Sequence, residues 1–333
     1  MKETDMAVHS KLRRRIAAAL SAFAFLGAAH AQGSDGAGQP ITIVVPFPPG
    51  GTTDQLARAI GQQMTENLKV PVIVDNRPGG GAQIAASAVA QAAADGRTIF
   101  IGDIGALCFN PYIYPKLGYQ PLKDFTPLAR LVLVPQLLVV PAASPYATID
   151  DLIKAARTKP DGLSIASQGN GSGGHLFAEM LRRESQGKFT HVPYRGSAPG
   201  ITDVVSGRID VMFDAIGTSG PFVKDGKLRA LAVGAAARVP MFAQVATLQE
   251  LGHPDLNMAA WFGMAVKAGT PAPVVQRLSA EVIKALRAPA VSKHFTDQGL
   301  EIAPLAAPEF KAFMESESQR WGQVIKAAGI RIE

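Results

Sequence analysis

Apolar residues fall into two rhythms along this chain. Short β-branched and apolar runs read as strands: ITIVVPF (Ile41 to Phe47), VPVIVDN (Val70 to Asn76), TIFIGD (Thr98 to Asp103), LLVVPA (Leu137 to Ala142), LSIAS (Leu163 to Ser167), THVPY (Thr190 to Tyr194), VMFDA (Val211 to Ala215), RALAVG (Arg229 to Gly234) and FGMAVKA (Phe262 to Ala268). Between them apolar positions recur at helical spacing. TTDQLARAIGQQMTEN puts Leu56, Ile60 and Met64 on one face, and further helices are predicted from Thr148, Gly174, Ala198 and Pro271. A last helix, from about Pro308 to Ala328, lines up Phe310, Phe313, Met314, Trp321, Val324 and Ile325 and is predicted to cover the core. Strand, loop and helix in steady alternation predict an α/β architecture with largely parallel sheets.

The N-terminus breaks this rhythm. Lys11, Arg13, Arg14 and Arg15 precede the apolar run IAAALSAFAFLGA and then Ala29-His30-Ala31, the order of charges, apolar stretch and small-residue cleavage site of a secretory signal. The run is shorter than the roughly 20 residues that span a bilayer. Residues 1–31 are therefore expected to be a cleaved signal peptide and the mature protein to be exported. The signal holds five basic residues against two acidic ones, so its loss takes the formal charge from +6 to +3. The remainder has no basic stripe interleaved with aromatics, which argues against a nucleic-acid partner. Cys108 is the only cysteine and the six histidines are scattered without ligand spacing, so no metal, disulfide or cofactor is expected.

Some 300 mature residues are enough for two domains. Pro135, Pro141 and Pro145 mark one boundary, and His253-Pro254 ahead of Trp261 marks another. The chain is expected to leave a discontinuous first domain (40–138 plus 261–333) near Val139 and return to it near Trp261, with 139–260 forming the second. Trp261, beside the second crossing, is expected to report domain closure by fluorescence.

Three glycine-rich turns stand between a strand and a helix: PFPPGGTTDQL from Pro46, DNRPGGGAQIAAS from Asp75, and SQGNGSGGHL from Ser167. Glycine leaves backbone amides uncovered, and a helix N-terminus has unpaired N–H groups that favour an anion. Thr52 and Gln55 are spaced for a capping box. In the third turn Gly169, Gly171 and Gly174 spell GxGxxG, but no acidic residue follows about 20 residues on, where a dinucleotide's ribose needs one; Arg195 stands there and suits a 2′-phosphate. Ser172 has Asn170 two places before it, so GxSxG is unmatched. An exported NADP-dependent or hydrolytic enzyme using the loop at 169–174 is the alternative reading.

Six segments in order are similar to one family: PFPPGGTTD, VDNRPGGGAQIAASAVAQAAADGRT, NPYIYPKLGYQPLKDFTPLARL, SQGNGSGGHL, HVPYRGSAPGITDVVSGRID and WFGMAVKAGTPAPVVQRL. Together they resemble the extracytoplasmic solute receptors of tripartite tricarboxylate transporters, often called Bug proteins. The resemblance implies a periplasmic-binding-protein fold (type II-like): two α/β domains with a double-crossover hinge that close on a small organic carboxylate without catalysing a reaction. It implies a monomer that delivers its ligand to the transporter's membrane subunits.

Carried over position by position, the resemblance places Phe47, Gly50, Gly51 and Asp54 in the first ligand loop and Ser167, Gly169, Ser172 and His175 in the second. Tyr194, Arg195 and Asp214 complete the set, and Asp103 is a position that tunes ligand choice. An acid at 103 disfavours a second ligand carboxylate nearby. Duller roles are open for several of these: Asp54 as a favourable charge in a first helical turn, His175 as a packed core group, Arg195 as an interdomain ion pair, and Asp214 as a satisfied structural carboxylate. Micromolar binding requires about 8 kcal/mol, and a hydrogen bond to a charged group gives about 1.5 to 3 kcal/mol, so four or five donors drawn from both loops would be needed.

Overall fold

The computed structural model describes residues 38–331; the expected signal peptide lies outside them. In the first stretch, β1 (Ile41–Val45) leads to α1 (Thr52–Leu68), β2 (Val72–Asn76) to α2 (Gln83–Ala90), and β3 (Thr98–Asp103) to a wide helical turn, Gly105–Phe109; β4 (Phe125–Val134) follows. The chain then runs on through Pro135 into β5 (Gln136–Pro141), α3 (Ile149–Thr158), β6 (Leu163–Ser167), α4 (Gly173–Ser185), β7 (Phe189–Pro193), α5 (Ser197–Val205), β8 (Val211–Ala215), α6 (Ile216–Lys224) and β9 (Leu228–Gly234). It ends with β10 (Ala260–Lys267), α7 (Ala272–Leu286), α8 (Pro289–Asp297), β11 (Glu301–Leu305) and α9 (Ala307–Ala328).

Two sheets result. The first has the order β11-β4-β10-β3-β1-β2 and the second β7-β6-β8-β5-β9. The chain thus passes from the first sheet to the second at Pro135 and returns to the first between Gly234 and Ala260. Both sheets are mixed, which corrects the expectation of largely parallel sheets. Among the named strands parallel pairing is confined to β1 with β2 and β3, and to β6 with β7 and β8. Every pairing of β10, β5 and β11 is antiparallel. For β5 and β10 the reason is the double passage: a strand arriving from the other sheet comes in at the edge where the parallel strands finish, so it must run against them.

That direction fixes where the loops go. β10 lies antiparallel to both β3 and β4, so β4 ends on the same edge as β1 and β3, beside the passage at Pro135. In the second sheet Gln136, the first residue of β5, pairs with Ala215, the last of β8, and β6 and β7 run parallel to β8. The C-terminal ends of the parallel strands of both sheets therefore lie at the edges joined by the crossings, the usual ligand position in open α/β sheets.

The cores follow the sequence pattern. Leu56, Ile60 and Met64 of α1 are fully buried against Ile43, Ile101 and Val266. α9 buries Phe310, Met314, Trp321 and Ile325 as its stripe predicts, and it begins at Ala307. Thr148 caps α3 through its hydroxyl and Asp151 answers from the third helical position. The capping box expected at Thr52 and Gln55 is absent: Thr52 is already helical, Gly51 is the cap residue, and the Gln55 side-chain amide donates to the Gly50 carbonyl at 2.9 Å.

Candidate functional site

The turn after β1 is held by one carboxylate. Gly50 has φ 91°, a left-handed conformation open to glycine, and donates its N–H to Asp54 Oδ2 at 2.9 Å. Asp54, only 3% exposed, also accepts from Arg58 Nε at 3.0 Å and from Asn76 Nδ2 at 3.0 Å, and pairs with the Arg58 guanidinium at 2.9 Å. Asn76, the last residue of β2, donates as well to the Phe47 carbonyl. Burial works against the Asp54 charge, but the Arg58, Gly50 and Asn76 donors outweigh it and hold its pKa below the usual carboxylate range. With its acceptor capacity used within the loop, Asp54 acts as the staple of the turn. At the start of α1 the N–H groups of Thr52, Thr53 and Asp54 meet no acceptor among the described residues. Phe47 is half-buried against the first-sheet core.

The turn after β6 satisfies itself more fully. The Ser167 hydroxyl, at the buried end of the strand, accepts from Gly169 N–H at 3.1 Å and lies 2.6 Å from His191 Nε2. Gly169, at φ 131°, turns the chain, and its carbonyl accepts from the Ser172 hydroxyl at 2.7 Å. Ser172 in turn caps α4 through the His175 N–H, and the Gly171 N–H donates to His175 Nδ1 at 3.1 Å. The His175 and His191 rings stack 4.1 Å apart. Burial lowers the pKa of His175, and burial together with the neighbouring His175 ring lowers His191 to about 4, so both rings are neutral near pH 7.

Asp214 ties three elements of the second sheet together. It is fully buried and accepts from Gln168 Nε2 at 2.8 Å, from the Ser197 hydroxyl at 2.5 Å and from the Thr218 hydroxyl. Burial raises its pKa against these donors. Tyr194 N–H donates to the Ser167 carbonyl and its hydroxyl to Asp203 at 2.7 Å; burial and the Asp203 carboxylate raise the phenol to about 12. Arg195, beside it, is exposed and makes no ion pair with any described residue. Asp103 ends β3 half-buried, its Oδ1 accepting the Ala106 N–H at 2.9 Å.

The two turns are joined only through intermediate residues. Gln298 Nε2 lies 3.5 Å from Gln55 Oε1 in the first turn of α1, and a side chain at Gly217, in the first turn of α6, would touch the Gln298 carbonyl. α6 follows directly on Asp214 and Ala215, and Asp214 holds Gln168 of the second turn. Two surface grooves lie elsewhere, one of about 550 Å³ beside Val223 and Arg229 and one of about 650 Å³ between α7 and the start of α9; neither includes a candidate residue. Trp261 is buried beneath α9, its indole N–H donated to Glu317 at 3.2 Å. Gln168, His191, Ser197, Thr218 and Asn76 were not singled out from the sequence. Apart from His191, which lies in the middle of β7, their common signal is a polar side chain at or just past the end of a strand or in the first turn of the helix after it.

A family model described as the tripartite tricarboxylate transporter family receptor matches residues 56–330. The chain belongs to that family. It is 40% identical over 316 residues, 94% of both chains, to a protein of Pseudomonas sp. strain P51 from the tcbD–tcbE intergenic region. Among solved structures it resembles Rpa4515 of R. palustris with adipate, at TM-score 0.81 and 36% identity over 88% of this chain and 98% of that one. MatC (Rpa3494) from Rhodopseudomonas palustris, with bound malate, gives TM-score 0.77 and 34% identity over 86% and 98%. The family consists of solute receptors and not enzymes, so the nicotinamide and hydrolase readings of the 169–174 loop are set aside. In this receptor GxGxxG builds a self-bonded turn.

Proposed function

We propose that this receptor captures a small organic carboxylate in the periplasm, between domains built on its two sheets, and presents it to the membrane subunits of a tripartite tricarboxylate-type transporter. The observation that carries the reading is that three acceptor-free amides at the start of α1 and Arg195, just past β7 and without an ion pair among the described residues, both lie on the edges joined by the crossings. A helix start and a guanidinium recognise the same chemical group, a carboxylate. Phe47, Gly50, Gly51 and Asp54 shape the first half of the site. Ser167, Gly169, Ser172, His175 and Asp214 hold the second half in form, while Tyr194 and Arg195 face the ligand. Each sheet supplies only part of the donor set, so a ligand bound by both favours the closed arrangement, with the passages near Pro135 and Ala260 as the hinge.

The reading is consistent with relatives bound to adipate and malate. It is tested by thermal melting of the mature protein across a panel of mono-, di- and tricarboxylates with NADPH as control. A true ligand at 100 times its Kd adds about 2.7 kcal/mol of stability, and Arg195→Ala should weaken its binding about 10- to 100-fold, the loss of one charge-assisted hydrogen bond. Stabilisation by NADPH and by no organic acid would defeat the proposal.

A further inference from the structure

Asp103 is a half-buried carboxylate whose pKa is raised by burial against the backbone amides that meet it. It closes β3, the parallel neighbour of β1, on the edge from which β1 leads into the first ligand turn; their ladder runs as far as Val44 opposite Phe100. On its other side Asp103 pairs with Phe262 in β10, the strand that returns from the second sheet. Its carboxylate is met by backbone amides, Ala106 N–H at 2.9 Å and the Gly105 N–H, and by no ion-pair partner among the described residues. The groups that sense its charge, Tyr114, Tyr119 and Cys108, are all neutral acids whose own ionisation it opposes. The other carboxylates of the site differ from it: Asp54 has Arg58, and Asp214 has an amide and two hydroxyls.

The arrangement sets a condition on the ligand. While the cleft is open, water solvates the exposed part of Asp103. Closure removes that water, and an unpaired carboxylate in a dry site is costly unless a cation or a proton accompanies it. A second ligand carboxylate beside it would add like-charge repulsion. Resting on the carboxylate-receptor reading above, we infer that this receptor's preferred ligands carry one carboxylate and one protonated amine, the carboxylate meeting the start of α1 and Arg195 and the ammonium meeting Asp103. Asp103 thereby selects amino acids, in the broad chemical sense, over dicarboxylates of equal length.

The test uses chain-matched triplets titrated calorimetrically into the mature protein at neutral pH: butanoate, 4-aminobutanoate and succinate, then the five- and six-carbon sets. At each length that binds, the amino member should be at least tenfold tighter than the diacid, with the plain acid between them. Asp103→Asn, whose side-chain oxygen can still accept the Ala106 N–H, should shrink that ratio at least tenfold. Asp103→Ser serves as a second variant, with melting temperature checking the fold of both. A diacid bound more tightly than its amino partner by the unaltered protein, or a ratio indifferent to both variants, overturns the inference while leaving the receptor reading intact. If no acid of any triplet binds, and none in the wider panel stabilises the protein, the receptor reading itself fails and the inference falls with it.

Discussion

At the scale of single residues, the site is divided between groups that hold and groups that are left to bind. His175 and His191 belong to the first kind. Stacked and neutral, they brace the Ser167–Gly171 turn, and protonating either ring would place a charge against its neighbour. His191 has its pKa lowered to about 4 from the ordinary 6.5. The unfolded chain therefore takes up this proton below pH 6.5 and the folded one only near 4. The stabilisation is complete above pH 6.5 and is lost as pH falls toward 4. Between pH 6.5 and 5 most carboxylates remain ionised, so a fall in melting temperature across that window, smaller in His191→Asn where the lowered His175 alone is left, is the expected result. Parallel pH profiles for the two proteins would remove His191 from the account. The sequence shows that residues of the PYRG and SQGNGSGGH segments gather at strand ends, but it cannot show which amides are already spent. Asp54 is the clearest case: only the fold brings Arg58 and Asn76 to it and turns a candidate ligand contact into a staple.

At the scale of elements, legibility follows the purity of the pattern. Strands with unbroken apolar runs are read correctly from the sequence, whereas β4 and β11 are not, and both carry proline. Pro127 sits inside β4 opposite Ala265, where the ladder with β10 shifts register between Met264 and Ala265. The irregularity accommodates a residue that has no N–H to give. Pro304 lies in β11, an edge strand, where prolines are tolerated. α6 escapes notice for a similar reason, with Pro221 in its middle and two glycines before it. Close packing of elements makes one substitution decisive. Gly263 of β10 lies under Phe310 of α9 so tightly that a Cβ would run into the ring. Gly263→Ala should therefore cost about 1 to 3 kcal/mol of stability, the usual penalty of overpacking, read as a lower denaturation midpoint. A midpoint equal to that of the unaltered protein would mean that α9 seats itself differently.

At the scale of the whole molecule, the proposed capture between the two sheets implies a change of shape. If both sheets contribute to one ligand, saturation with the best acid of the panel should lower the radius of gyration measured by small-angle scattering, and Arg195→Ala should need more ligand to reach the same compaction. An unchanged radius at saturation would mean binding to one lobe alone. Trp261 is less suited to reporting this motion than its place in the sequence implies. Glu317 accepts the indole N–H of both Trp261 and Trp321, so its emission reports the seat of α9.

The position of β10 bears on how such a molecule is assembled. It is one of the later segments to leave the ribosome, yet it lies between β3 and β4, where it completes the ladder of both. Until residues 260–267 arrive, those two strands lack their shared partner, and more than a hundred residues of the second sheet's lobe intervene in the chain. Contacts of such long sequence separation form slowly. A nascent chain with this topology stays unfinished until nearly all of it has been made.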